Sequence, residues 1–180
     1  MKHSKSYFAI QNALYKLLEQ SDLKQLTIND ICEQANVGRS TFYHLFHDKY
    51  EILEKENEAL CQIVDDSLKE VLTMSNLELH LNNLIQTLNH TKFLQLIDIE
   101  EGGVNLRKDL RNIFEQNYIL YYDRKMIQKK WGITFDFAKD LFCSTTLTFI
   151  ESSIKSQDEE DTKNNINFIK EMINMFLVFT

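Results

Sequence analysis

An all-α fold in two parts is predicted by three features of this sequence. Apolar residues recur at helical spacing along nearly the whole chain. Proline is absent, and glycine occurs only as Gly38, Gly102, Gly103 and Gly132, which leaves little backbone for tight strand connections. Several apolar runs open with a residue that caps a helix, namely Thr27, Asp48, Asn76 and Thr134. At 180 residues, 43% of them hydrophobic, the chain is long enough to bury a substantial core. Cys32, Cys61 and Cys143 are odd in number and widely spaced, so they read as reduced thiols in apolar stripes rather than a disulfide or metal framework. His80 and His90 have no further ligand at metal spacing, and neither metal nor cofactor is expected. No run of 18 apolar residues and no early signal-like run occurs, from which a soluble, cytoplasmic protein is expected, with no membrane partner.

The most informative stretch runs from Leu26 to Leu53. Thr27 and Asp30 have the spacing of a capping box, and Ile28, Ile31, Cys32 and Ala35 then form one narrow apolar stripe of a short helix. Asn36, Val37 and Gly38 interrupt it, with the glycine expected to serve the corner. A second helix is expected from about Arg39 to Phe46, with Phe42, Leu45 and Phe46 on its inner side. Arg39, Ser40, Tyr43, His44 and His47 project from the other, an arc without Asp or Glu. Asp48 and Glu51 repeat the capping spacing, and a third helix starts at Lys49.

The run TINDICEQANVGRSTFYHLFHDKYEIL resembles the helix-turn-helix of TetR/AcrR-type transcriptional regulators. The family's T-[LF]-Y-x-x-F-x-x-K pattern falls here on Thr41, Phe42, Tyr43, Phe46 and Lys49 with every spacing kept. The likeness covers about residues 10 to 53. Gly38 stands where the family often has Ser, and Leu45 where it often has an aromatic residue or His. The resemblance implies an N-terminal three-helix DNA-binding domain and a C-terminal helical ligand-binding and dimerisation domain. It further implies a homodimer built on the last two long helices, a cavity for a small-molecule effector among the middle helices, and repression as the usual outcome. The domains are expected at 1–50 and 51–180.

Charge fits that division. Residues 1–50 carry six Lys and Arg against five Asp and Glu, whereas residues 51–180 carry fourteen against twenty-two. The net −7 therefore sits in the body, which would repel DNA phosphate everywhere but at the helix-turn-helix end.

In chain order, the basic arm Lys2 to Lys5 either touches DNA or is simply solvated. Ile10, Ala13, Leu14, Leu17 and Leu18 make the inner face of a first helix ending near Ser21. The helix from Lys49 should continue to about Thr73, spanning about 36 Å at about 1.5 Å per residue. The next helix is expected from Leu77 to Asn89, after which residues 92–99 read as a short helix or an extended run. The run EEGGVN, 100–105, is the one obvious loop. A single long helix is expected from Leu106 to Trp131, ended by Gly132, and another from Thr134 to about Ser156. The last helix starts in the acidic run SQDEED and reaches Phe179. It carries one stripe of Ile166, Ile169, Ile173 and Phe176 and a second of Phe168, Met172, Met175 and Phe179.

Candidate DNA contacts are Thr27, Arg39, Ser40, Thr41, Tyr43, His44 and Lys49. Tyr43 and Lys49 would grip phosphates, assisted by the Thr27 and Thr41 hydroxyls, while the Arg39 fork suits guanine O6 and N7. Phe93, Phe114, Tyr118, Tyr121, Tyr122, Trp131 and Phe142 either line an effector pocket or are ordinary core. Phe149, Ile166, Ile169, Ile173 and Phe176 are the expected dimer interface. An enzyme is disfavoured, since no phosphate loop, nucleophile elbow or metal-ligand pattern occurs. Double-stranded operator DNA, a small effector and a second copy are thus the expected partners. The alternative is a helical protein-interaction module that has lost DNA binding.

Overall fold

The computed structural model describes residues 4–73, 76–156 and 158–176, and within them the chain is helical apart from one two-stranded hairpin. It divides into two compact units. The first comprises residues 1–58 together with 99–105, and the second comprises 59–98 and 106–180. No described helix is long and apolar enough to cross a membrane.

In the first unit, α1 (Lys5–Leu18) is capped by the Ser4 hydroxyl, which accepts the Tyr7 N–H at 3.2 Å. It ends one turn before the expected Ser21, because the backbone turns at Gln20 and Ser21 onto the Leu17 carbonyl. Its buried face, with Ile10, Ala13 and Leu14, packs on α2 (Ile28–Ala35) and α3 (Arg39–Leu45). The centre is aromatic: Phe42 and Phe46 lie 5.9 Å apart between ring centres, and Phe46 lies 5.0 Å from Tyr7. Helix α4 (Lys49–Thr73) starts in this unit and continues into the second, as its spacing predicts.

The expected loop at 100–105 is a hairpin, β1 (Glu100–Glu101) against β2 (Val104–Asn105). Gly102 and Gly103 form its two-residue turn with φ of 63° and 88°, the left-handed pair such a tight hairpin demands. The hairpin lies on the start of α4. A Cβ built on Gly102 would stand 2.0 Å from Cδ1 of Tyr50, so the glycine backbone rests on the tyrosine ring. Lys24 pairs with Glu101 at 3.2 Å, and Val104 is buried.

The second unit packs the remainder of α4 with α5 (Leu77–Asn89), the short α6 (Phe93–Leu96), α7 (Leu106–Tyr121), α8 (Arg124–Trp131), α9 (Phe135–Lys155) and α10 (Glu159–Phe176). Asn76, Thr134 and the acidic first turn of α10 start helices as expected, and Gly132 ends α8 at φ 66°. The long helix expected over Leu106–Trp131 is two helices. The chain breaks at Tyr122, whose ring is buried against Tyr118 and Phe142, and Asp123 starts α8 by accepting the Met126 N–H at 2.8 Å. Arg107 ties α7 to Glu151 and Asp98, and Arg111 ties it to Asp140 at 2.6 Å.

Candidate DNA-binding surface

Two caps and one left-handed residue shape the helix-turn-helix. The Thr27 hydroxyl accepts the Asp30 N–H at 3.2 Å while the Asp30 carboxylate accepts the Thr27 N–H at 2.8 Å, the reciprocal pair that the spacing predicts. The same hydroxyl donates to the Asp30 carboxylate at 2.7 Å, and these bonds hold that carboxyl below its ordinary range. The left-handed residue of the corner is Asn36, with φ 52° and ψ 48°. Gly38, expected to fill that role, is extended at φ −75° and stands at the N-cap of α3, where any residue fits. Asparagine tolerates the left-handed basin better than other side-chain-bearing residues, so the glycine is not needed there.

Helix α3 buries Phe42 and half-buries Thr41 and Leu45, while Arg39, Ser40, Tyr43 and His44 are exposed on its outer side. The Arg39 guanidinium carbon lies 5.9 Å from the centre of the Tyr43 ring, so each side chain limits the rotamers of the other. A shallow recess beside Arg39 is lined by Asn29, Glu33, Asn36 and Val37. Among the described residues α3 carries no carboxylate, and its exposed groups suit phosphate oxygens and base edges. Of the arm, Lys2 and His3 lie outside the described residues.

Lys49 does something its sequence position does not reveal. Its ammonium donates to the carbonyl oxygens of Leu23 at 2.6 Å, Leu26 at 2.7 Å and Lys24 at 3.4 Å, and stands 5.3 Å from the Tyr50 ring centre. All three N–H donors of the ammonium are thereby aimed at the loop between α1 and α2, so a phosphate must displace the longest bond to be gripped. Asp48 caps α4 through the N–H groups of Tyr50 and Glu51. Lys55 holds the Glu51 carboxyl low, aided by the His47 N–H, and lies 4.9 Å from the Phe46 ring centre.

Lys49→Met keeps the stem and removes all three bonds, so it should lower stability by about 2 kcal/mol, the scale for losing bonds from a charged donor. The dependence of DNA affinity on salt separates the roles: an unchanged slope leaves Lys49 as a tie for the loop, whereas a slope reduced by about one assigns it a phosphate.

The aromatic residues of the second unit divide into groups. Tyr118 and Tyr122 stack at 4.4 Å, and Phe142 and Phe135 lie 5.2 and 5.0 Å from Tyr118. Both phenol oxygens are buried without a hydrogen-bond partner, and burial pushes the Tyr118 phenol up to about 12 and the Tyr122 phenol higher. Phe114 instead lines a small apolar void with Leu68, Leu84, Thr146 and Ile169. Phe93 is buried on α6, Tyr121 is half-buried, and the break before α8 leaves Trp131 exposed.

Of the residues expected at a dimer face, Phe149, Ile166, Ile169 and Ile173 are buried within their own chain, where α10 packs on α5 and α9. The Phe176 side chain lies outside the described residues, as do those of Met175 and Phe179. Of the second stripe, Met172 is also buried and Phe168 is 65% exposed. The thiols of Cys32 and Cys143 are buried, and burial pushes that of Cys143 up to about 11.

Comparison with known proteins agrees with this geometry. Residues 10–55 match the family described as bacterial regulatory proteins, tetR family. A TetR transcriptional regulator from Streptococcus agalactiae superposes with a TM-score of 0.61 at 21% identity over 94% of this chain and 93% of that one, which shows the shared fold. The repressor AlkX from Dietzia sp. strain DQ12-45-1b aligns at 17% identity with a TM-score of 0.46. The HTH-type transcriptional regulator YxbF of Bacillus subtilis is 24% identical over 116 residues, which cover 62% of this chain and 30% of that protein. The chain thus matches less than a third of that relative's length.

Proposed function

We propose that this chain, which belongs to the TetR family of bacterial regulatory proteins, is a cytoplasmic, non-enzymatic repressor that binds a palindromic operator as a homodimer and releases it when a small molecule enters the helical body. A DNA-binding transcriptional regulator is the coarse form of this reading. Residues 1–50 carry DNA binding in it, and residues 51–180 carry effector binding and self-association. The observation that supports it most directly is the outer side of α3, where Arg39, Ser40, Tyr43 and His44 stand exposed with no carboxylate on the helix. Tyr43 meets a phosphate, Arg39 reads a guanine, and Ser40 and His44 reach neighbouring base edges. Thr27 and Thr41 assist at the backbone. Since the Ile166 stripe is internal, a partner copy would cover the exposed side of α9 at Phe137, Leu141, Ser144 and Thr148, together with Phe168 of α10. In this reading the effector enters beside Tyr118 and Tyr122, a position supported by their unpartnered phenols, which would gain hydrogen bonds from it.

Arg39→Ala tests the base-reading role. Affinity for the preferred site should fall by about 1 to 3 kcal/mol while affinity for unrelated DNA changes little, measured by fluorescence anisotropy on both. An equal loss on all sequences moves Arg39 to the phosphates. The internal engagement of Thr27 and Lys49 favours one competing reading, an interaction module that no longer binds DNA. The absence of any salt-dependent binding would select it.

A further inference from the structure

Helix α3 ends without the left-handed residue that closes many helices. Phe46 stands at its C-cap with extended backbone, φ −143° and ψ 141°, and its ring is buried. An extended exit turns the following N–H groups away from the last carbonyls of the helix, which then need donors from elsewhere. Two side chains of α4 meet the chain on either side of Phe46. The Lys55 ammonium donates to the Leu45 carbonyl oxygen at 3.4 Å, and the Glu51 carboxylate accepts the His47 N–H through Oε2. The other carboxylate oxygen, Oε1, pairs with the same ammonium at 2.8 Å, and that ammonium lies 4.9 Å from the Phe46 ring centre. Leu45, Phe46 and His47 are thus gripped in succession by one pair of side chains from neighbouring turns of α4.

A surface ion pair at i and i+4 ordinarily contributes little. This one differs in what else it holds. Both side chains are partly covered, and each has a backbone group of the α3–α4 corner as a further partner. Burial of Phe42 and Phe46 keeps α3 down on its support but is non-directional, whereas hydrogen bonds to the backbone are directional and fix the turn of the helix about its own axis. A turn of about 10° moves side-chain atoms by about 1 Å at the roughly 5 Å radius of a helix surface, enough to spoil a bidentate contact with a base.

We propose that Glu51 and Lys55 are positioning residues for DNA reading, a clasp that sets the rotation of α3 on α4 so that Arg39, Ser40 and His44 meet base edges. Neither side chain touches DNA in this role; both act through the backbone of Leu45 and His47. The inference rests on the reading of α3 as the DNA-reading helix and adds to it what fixes that helix in rotation.

Fluorescence anisotropy of the full chain, on the DNA site it selects and on an unrelated duplex, tests the clasp through the ratio of the two affinities. Lys55→Met keeps the stem and removes the donors, and the ratio should fall at least about fivefold, the lower end of what one bidentate base contact contributes. Glu51→Ala should give the same loss. The double variant should lose no more than about twofold beyond either single change, because the two side chains act as one. Lys55→Arg keeps the charge and donors for both acceptors, and should bring the ratio back to within about threefold of the unaltered chain. If Lys55→Met loses helical signal, Glu51→Gln keeps an acceptor for His47 without the charge and should still lower the ratio by about two- to threefold. An equal loss on both duplexes with a shallower salt dependence assigns Lys55 to a phosphate and overturns the proposal. A lower melting temperature with an unchanged ratio overturns it as well, leaving the pair as a structural tie. A sequence preference that survives intact in both single variants removes the clasp alone, whereas an unaltered chain that prefers no sequence removes the DNA-reading role of α3 and the clasp together.

Discussion

Phe42→Ala should unfold the first unit and with it abolish DNA binding, although it removes none of the exposed side chains of α3. The ring is fully buried, 5.9 Å from Phe46 and 5.6 Å from Tyr43 between ring centres, and Phe46 in turn meets Tyr7 of α1. It is the peg by which α3 is held to its support. Truncating a buried phenylalanine costs about 3 to 5 kcal/mol, a large share of the roughly 5 to 15 kcal/mol that holds a small domain folded. Thermal unfolding followed by circular dichroism should show a separate transition at lower temperature, while the helices of the second unit melt as before. Tyr43→Phe serves as the contrast: its ring is half exposed, so the fold should be kept while DNA affinity falls by one hydrogen bond to phosphate. A stability loss below about 1 kcal/mol for Phe42→Ala would mean that α3 is held by something other than this aromatic centre.

Gly102→Val is the second large effect. Any side chain there adopts φ of 63°, which costs an L-residue about 1 to 2 kcal/mol, and its Cβ would stand 2.0 Å from the Tyr50 ring. Overpacking adds about 1 to 3 kcal/mol, so a total near 3 kcal/mol is expected, expressed as detachment of the hairpin from the start of α4. The same substitution in a Tyr50→Ala background meets no ring and should cost only the backbone strain. Denaturant unfolding of the four proteins in this cycle gives the coupling directly. Equal costs in both backgrounds would show that the ring contact contributes nothing.

Those two sites also mark how far the sequence can be read. The helix-turn-helix was legible because its signals are local: a capping box at Thr27 and Asp30, an apolar stripe, and a capping carboxylate at Asp48. The same holds for Asn76, Thr134 and Gly132, where the cap alone decides the boundary. The hairpin was harder, since strands of two residues have no alternation to read, although the Gly-Gly pair was a turn signal. The break after Tyr121 was hidden because no glycine or proline marks it; Asp123 was the available sign, and the burial of Tyr122 is a tertiary effect. Two apolar stripes on α10 announced contacts without saying which was internal, and packing on α5 and α9 buries Met172 of the second stripe along with Ile166, Ile169 and Ile173 of the first, leaving Phe168 exposed. At the candidate site, the outward positions of Arg39, Ser40, Tyr43 and His44 followed from helical period alone. The engagement of Lys49 with three carbonyl oxygens depends on a loop more than twenty residues away, which no local pattern encodes.

The claim that α3 reads DNA in a two-fold assembly is tested most directly by selecting binding sites for the full chain from a random DNA pool. A palindrome should be enriched whose half-site centres lie about 34 to 36 Å apart, or a multiple of that, subject to distortion of the DNA. Two chains should bind per site, and the preference should relax in Arg39→Ala. Recovery of no enriched sequence, or of a single half-site bound by one chain, would contradict it.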